Sequence, residues 1–386
     1  MKSPSAFLVL RAPVLEDSAQ VDAFHAAVER LAFHDVLPSK TSSCGWTAPG
    51  EPSKPPSRYD CITGDAGIIA IGIRYDEKKV PDALVRIRVD AGAVAWTIEN
   101  GKDKCPRAIR HEIEDRIRLE LLDKTPATPS TAVLLYDTSN GTVFVDGASG
   151  AAVKAVAGLW RDTFAAMDLR TYGILDRVRD RLTPEQIEHV SVSDPADPHL
   201  GLRGERMGQF LGWLWFKGET STSSLPSIET DTGKLEWMAA REIHLMDKSS
   251  QKRRLSVRAT DAATDPAVRA SLVDGHAIES LGLTLNHNGQ WIADVTLTAK
   301  EGELSMGACK LPPLAEGDIA TQAIEMAWLL ESVHSYVARL FLHWATTAGS
   351  ADALDQGQAS MRRWLEQDLK TWLHESTAVP VLRAVN

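Results

Sequence analysis

The sequence predicts an α+β protein built from antiparallel sheets with packed helices. Three observations carry this. Apolar, β-rich runs recur along the chain, as in Gly67–Arg74 and Ala132–Asp146. Two Asn-Gly dipeptides, Asn140-Gly141 and Asn288-Gly289, sit between such runs. They read as hairpin turns, because a type I′ turn needs two residues that tolerate positive φ. Two long C-terminal stretches instead space their apolar residues at i, i+3, i+4, which is the helical period.

Taken in order, residues 5–16 alternate and read as a strand. Asp17 can cap a helix from Ser18 to Phe33 whose apolar face is Ala23, Phe24, Ala27, Val28 and Leu31. Residues 38–60 are rich in Pro, Ser and Gly and read as loop, with Trp46 as a packing anchor. The run Ile68–Ile73 is a buried strand, and Arg107–Leu122 a charged helix. The Asn140-Gly141 hairpin closes this central stretch, and a helix follows near Ala151–Ala166. Residues 168–182 are helical in part. Thr183-Pro184-Glu185-Gln186 is a helix start, with Thr183 as cap and Pro184 at the first position.

Asp194-Pro195-Ala196-Asp197-Pro198 marks a boundary between an N-terminal α+β module, 1–195, and a C-terminal module, 196–386, of one sheet and two long helices. In the second module Met207–Phe216 reads as a buried helix and 217–233 as a loop. Strands fall at 235–246, 253–259, 277–286, 290–299 and 302–309. The last two helices, near 318–346 and 351–375, are expected to pack antiparallel.

Composition narrows the function. With 386 residues, 44% hydrophobic and 24% charged, the chain has the balance of an ordinary soluble globular protein. No run approaches the ~20 apolar residues a spanning helix needs, and the apolar patch at the N-terminus is too short for a signal peptide. A cytoplasmic protein with no membrane partner is expected. Cys44, Cys61, Cys105 and Cys309 form no Cys-x-x-Cys pair, so they read as reduced structural thiols rather than a zinc site or a disulfide framework. Phosphate-loop, His-Glu-x-x-His and Gly-x-Ser-x-Gly motifs are missing, and no cofactor is implied.

The net charge of −10 argues against a uniformly basic nucleic-acid binder, yet the charge is uneven. Arg74–Arg118 holds eleven basic against nine acidic side chains, and Arg241–Arg258 six against two. Cations gathered on one surface can hold DNA while acid elsewhere faces away. The candidate phosphate contacts are Lys78, Lys79, Arg86, Arg88, Lys102, Arg107, Arg110, Lys252, Arg253 and Arg254, with Lys104 beside them. Arg116 and Arg118 stand among Glu112, Glu114, Asp115 and Glu120, where i, i+4 pairing on a solvated helix explains them.

One pattern points elsewhere. Asp65 followed by Glu77-x-Lys79 has the order of a metal-dependent nuclease site, in which two carboxylates hold Mg²⁺ and a lysine orients water. The same letters also describe a charged turn after a strand.

The central stretch resembles the RdgC family of bacterial recombination-associated DNA-binding proteins. Cys44-Gly-Trp-Thr-Ala-Pro49 is similar to its Gly-Trp-x-x-Pro turn, and Tyr75-Asp-Glu-Lys-Lys-Val-Pro81 to its Glu-Glu-Lys-x-Leu-Pro element. Arg110–Ile117 with Leu121-Leu122 resembles its helix ending in a Leu-Leu pair, and Leu135–Ser149 its hairpin. Phe210–Glu219 resembles a segment of its longer members. The chain departs where the family follows the Leu-Leu pair with an aromatic residue implicated in subunit contact: here Asp123-Lys124-Thr125-Pro126 has none.

The resemblance implies a ring-forming architecture and a non-enzymatic homodimer at the nucleoid. Double-stranded DNA would thread a positively lined hole with little sequence preference, and RecA-promoted strand exchange would be antagonised. A Mg²⁺-dependent nuclease using Asp65, Glu77 and Lys79 is the alternative. A protein-interaction module, with the Trp-rich C-terminal helices as its interface, is a third reading.

Overall fold

The computed structural model describes residues 7–58, 67–146, 150–191, 206–221, 225–247, 254–258, 265–274, 276–300, 303–347 and 350–378. Two compact units emerge, one mainly Arg11–Arg170 and the other mainly Thr171–Glu316 with Glu325–Asn386. The first part of the chain runs β1 (Phe7–Arg11), α1 (Ser18–Arg30), β2 (Ser42–Thr47), β3 (Ile68–Glu77), α2 (Asp82–Asn100), α3 (Arg107–Lys124), β4 (Thr128–Asp137), β5 (Thr142–Asp146) and α4 (Gly150–Thr163). Helices and antiparallel sheets together make it an α+β protein, as expected.

In the first unit β2, β3, β4 and β5 pair antiparallel in that order. Central β3 is buried without a break from Ile68 to Ile73, which is why its sequence reads as a continuous apolar run instead of an alternation. Helix α4 packs on β3 and β4, and an aromatic cluster ties α1 to α4 and β4. Phe24 stacks on Phe164 at 4.3 Å between centroids, and Trp160 packs on Phe164 at 4.6 Å. The side chain of Asp17 accepts the Gln20 N–H at 2.8 Å, fixing the start of α1.

Three local readings need correction here. The Pro- and Gly-rich loop 38–60 contains a strand, β2, which pairs with β3 so that Trp46 faces Ile73 across the ladder. A full helix, α2, fills 82–100 where none was expected; its apolar residues are split between two faces, so neither the strand nor the helix period stands out. The Asn140-Gly141 turn is not type I′. Only Gly141 has positive φ, and β4 and β5 are joined by four residues, 138–141, organised by Asp137. Its carboxylate accepts the Ser139 N–H at 3.0 Å and the Asn140 side-chain amide at 2.8 Å.

The second part comprises β6 (Arg170–Thr171), α5 (Ile174–Val178), α6 (Pro184–Ser191), α7 (Arg206–Thr220), β7 (Ser227–Thr230), β8 (Gly233–Asp247), β9 (Arg254–Arg258), α8 (Pro266–Val273), β10 (His276–His287), β11 (Gln290–Lys300), β12 (Glu303–Lys310), α9 (Ile319–Thr347) and α10 (Ala351–Ala378). Before α6, the Thr183 hydroxyl accepts the Gln186 N–H at 3.2 Å and Gln186 Oε1 accepts the Thr183 N–H at 2.9 Å, a capping box at the helix start read from the sequence with Thr183 as its cap. The Asp194–Pro198 segment lies outside the described residues. The second unit's sheet has the order β12-β11-β10-β8-β7, with β9 also on β8. Asn288 and Gly289 both have positive φ, so this second Asn-Gly does form the two-residue turn.

Helix α7 lies on β8 and β10, and Trp237 Nε1 donates to the Leu214 carbonyl at 3.1 Å. The stretch expected as loop 217–233 is instead the end of α7 followed by β7. Helix α10 docks through Trp364, whose ring lies 5.6 Å from those of Trp215 and Phe216 and under Arg269. A cavity lies between the end of α9 and the start of α10.

Candidate nucleic-acid interface

Helices α2 and α3 form an antiparallel hairpin with its own core. Val85 and Val89 on α2 meet Ile113, Ile117 and Leu121 on α3, and Trp96 and Ile109 extend the contact. The α3 contribution recurs every four residues, the helical period that brings one face onto a partner. Ion pairs lace the edges. Arg88 pairs with Glu120 at 3.3 Å, Arg118 with Asp82 at 3.3 Å and with Glu114 at 3.0 Å, and Arg110 with Asp90. Lys124 and Arg88 both hold Glu120, and the Lys124 contact is the larger cause of its carboxyl lying below the ordinary value.

These pairs sort the predicted contacts. Arg88 and Arg110 are engaged within the hairpin, and Lys79 pairs with Glu77 at 3.1 Å. Lys78 is half-buried and donates to the Pro38 carbonyl at 3.4 Å. Arg86, Lys102 and Arg107 are exposed, and among the described residues they carry no ion pair. Lys104 shares that state. So does Arg116, which sequence reasoning assigned to i, i+4 pairing. Its i+4 carboxylate, Glu120, is instead taken by Arg88 and Lys124.

Three of the free cations converge on the hairpin's end. Helix α2 closes on Gly101 in the left-handed conformation, and the Lys102 N–H returns to the Thr97 carbonyl at 3.0 Å. The loop Lys102–Pro106 then leads into α3, which starts after Pro106 with no side-chain cap and no acidic residue in its first turn. Lys102 and Lys104 therefore lie exposed in the loop before an uncapped helix N-terminus, and Arg107 opens that helix. Uncapped N–H groups and the positive end of the helix dipole favour an anion.

The second basic cluster is only partly placed. Lys252 and Arg253 lie outside the described residues; the backbone of Arg254 opens β9 opposite Met246. Arg258 pairs with Glu242 at 2.8 Å, and the bond from His244 followed by that from Arg258 lowers the Glu242 pKa.

For the nuclease pattern, Asp65 lies outside the described residues, which leaves Glu77 and Lys79 paired at the end of β3. Among the described residues no three His, Cys, Asp or Glu side chains gather into a cluster able to hold a metal ion. The thiols of Cys44 and Cys309 are pushed up by burial to about 11 and about 12, so both are inert. Among the described residues no helix is long and apolar enough to cross a membrane.

No curated protein matches the chain. The family model described as "Putative exonuclease, RdgC" matches residues 10–184, a span that contains the whole α2–α3 hairpin. Over that span, a little under half of the chain, the sequence is similar to the RdgC family.

Proposed function

We propose that this protein binds double-stranded DNA without sequence preference and without cutting it, through phosphate contacts made by the end of the α2–α3 hairpin. The match of residues 10–184 to the RdgC family model supports a recombination-associated DNA-binding role. The observation that carries the reading is the run of exposed, unpaired cations Lys102, Lys104 and Arg107 in the loop and first turn at the uncapped start of α3. Arg86, on the same hairpin, adds a further free cation. Lys78, Lys79, Arg88 and Arg110 contribute by exchanging their present partners for phosphates, and Lys252, Arg253 and Arg254 form a second basic segment.

The active form in this reading is a homodimeric ring at the nucleoid that modulates RecA-dependent recombination. An apolar stripe supports self-association. Leu84, Ile87, Ala91, Val94 and Ile98 repeat at three- and four-residue steps on the face of α2 opposite the hairpin core. Leu84, Ile87, Val94 and Ile98 are 40%, 64%, 58% and 76% exposed. This is the spacing of a coiled-coil seam, and a second copy would bury it. It offers a contact where Asp123–Pro126 lacks the family's aromatic residue.

The family model's description names an exonuclease, so a second reading is kept: Mg²⁺-dependent cleavage by Asp65, Glu77 and Lys79. One experiment separates the two. A labelled linear duplex is titrated across a salt series with Mg²⁺ and with EDTA, following both mobility and length. Binding of an intact duplex, with log affinity falling by about 0.9 per phosphate per decade of salt, is the expected result. Salt-insensitive binding or none overturns it; shortening with Mg²⁺ but not with EDTA establishes the nuclease.

A further inference from the structure

The second unit holds a cavity of about 320 Å³ between α7, the end of α9 and the start of α10. That volume lies within the range of small-molecule sites. Trp213, partly exposed, gives it an aromatic wall, and Trp344, 2% exposed, borders it. Both rings are braced from behind, Trp213 stacked on Trp237 at 5.5 Å and Trp344 against Phe341 at 5.4 Å. Gln358 also lines the cavity; the residue is 7% exposed and, among the described residues, its Oε1 has no hydrogen-bond partner. The terminal torsion of a glutamine is soft, so the amide turns toward a donor in the cavity at little cost.

The ionisable members of the lining are Lys217 and His343, both exposed, and among the described residues no carboxylate belongs to it. Among the described residues Lys217 has no ion pair. Burial, and then the charge of Lys217, lower the pKa of His343, so Lys217 is the cation of the site at neutral pH. An apolar guest would leave the buried Gln358 oxygen unanswered and would make no use of the Lys217 charge at the rim. A planar ring with an N–H edge and an anionic group answers both.

We propose that this cavity binds a nucleotide, with its base against Trp213, a base N–H given to Gln358 and its phosphate beside Lys217. The inference rests on the cavity alone, not on the DNA-binding reading. The same chemistry arises from a free mononucleotide or from an unpaired base in a DNA strand.

The test titrates the full-length protein with each deoxynucleoside 5′-monophosphate, following tryptophan fluorescence, with deoxyribose 5-phosphate as the ring-free control. Saturable quenching by at least one mononucleotide and none by the control is expected. Gln358→Leu should weaken it at least tenfold. Gly357→Leu should abolish it, because a Cβ at Gly357 meets nothing within 4 Å and the side chain can occlude the cavity without a clash. A duplex carrying one unpaired base, compared with the fully paired duplex, distinguishes the sources. Quenching that depends on the unpaired base and disappears in Gly357→Leu assigns the site to a strand, whereas quenching by mononucleotides alone assigns it to the free ligand. No quenching by either, or quenching that survives Gly357→Leu in a folded protein, overturns the proposal. The duplex salt response is a separate readout, so the two readings fail independently.

Discussion

Arg177 donates to Nδ1 of His334 at 3.0 Å from the same nitrogen that bonds Glu331 at 3.1 Å. A guanidinium only donates, so Nδ1 must carry the lone pair and the imidazole is neutral with its proton on Nε2. His334 is fully buried and its ring sits 5.7 Å from that of Tyr172. Burial, and then the Arg177 charge, push its pKa down to about 3. In the unfolded chain the value is about 6.5. Between those limits the unfolded state binds a proton that the folded state refuses, so stability falls as pH drops through the window and is untouched above it. His334→Asn keeps an acceptor for Arg177 and removes the titration. Urea unfolding at pH 7 and pH 5 should show the wild type losing roughly 1–2 kcal/mol more than the variant. Equal losses would mean that His334 is not the group responsible.

Two glycines of positive φ should respond very differently to alanine. Gly101, at φ +57°, ends α2 in open space, so Gly101→Ala meets only the backbone penalty of about 1 kcal/mol. Gly141 has φ +76°, and a Cβ there would lie 2.3 Å from the Ala12 carbonyl oxygen. The Ala12 N–H already bonds the Gly141 carbonyl at 2.8 Å, so the two backbones cannot part cheaply. Gly141→Ala should cost about 3 kcal/mol or more by chemical denaturation. A loss no greater than that of Gly101→Ala would show that the close approach relaxes.

The contrast between these turns also shows what was legible beforehand. Asn288-Gly289 and Asn140-Gly141 are the same dipeptide, but only the first forms the tight turn. In the second, Asp137 captures the loop N–H groups and lengthens the turn, a side-chain effect that dipeptide rules do not contain. Trp46 read correctly as an anchor: it is fully buried, and its Nε1 donates to the Thr163 hydroxyl at 2.8 Å. The strand bearing it was hidden because Pro and Gly around it dominate the composition. Helix α2 escaped because it has two apolar faces, one for α3 and one left open. The cation segments were visible in the sequence. Which cations are free was not, since Arg88 and Arg110 are neutralised by carboxylates twenty or more positions away.

That sorting gives a graded prediction for DNA. Removing Lys102, Lys104 and Arg107 together should flatten the salt dependence by up to about 2.7, at roughly 0.9 for each phosphate no longer neutralised. Arg88→Ala or Arg110→Ala removes a cation already matched by Glu120 or Asp90 and should change the slope less than any one of those three. Duplex binding measured from low to moderate salt checks this. If Arg88 and Arg110 prove as important as Lys102 and Arg107, the phosphates are met along the hairpin's side instead of its end.

The stripe on α2 predicts a separation of association from folding. Ile87 and Ile98 are 64% and 76% exposed, so Ile87→Lys and Ile98→Lys remove nothing from the hairpin core and should leave thermal stability nearly unchanged. In a symmetric dimer each substitution acts twice. With roughly 1.5–3 kcal/mol per buried side chain, self-association should weaken at least a hundredfold. Sedimentation velocity across a concentration series reads this directly. Variants that remain dimeric would place the subunit contact elsewhere, whereas monomers that still bind duplex with an unchanged salt slope would show that phosphate contact does not need a closed ring. Monomers with weakened duplex binding are the outcome that a clamp requires, because a ring holds DNA by closure as well as by charge.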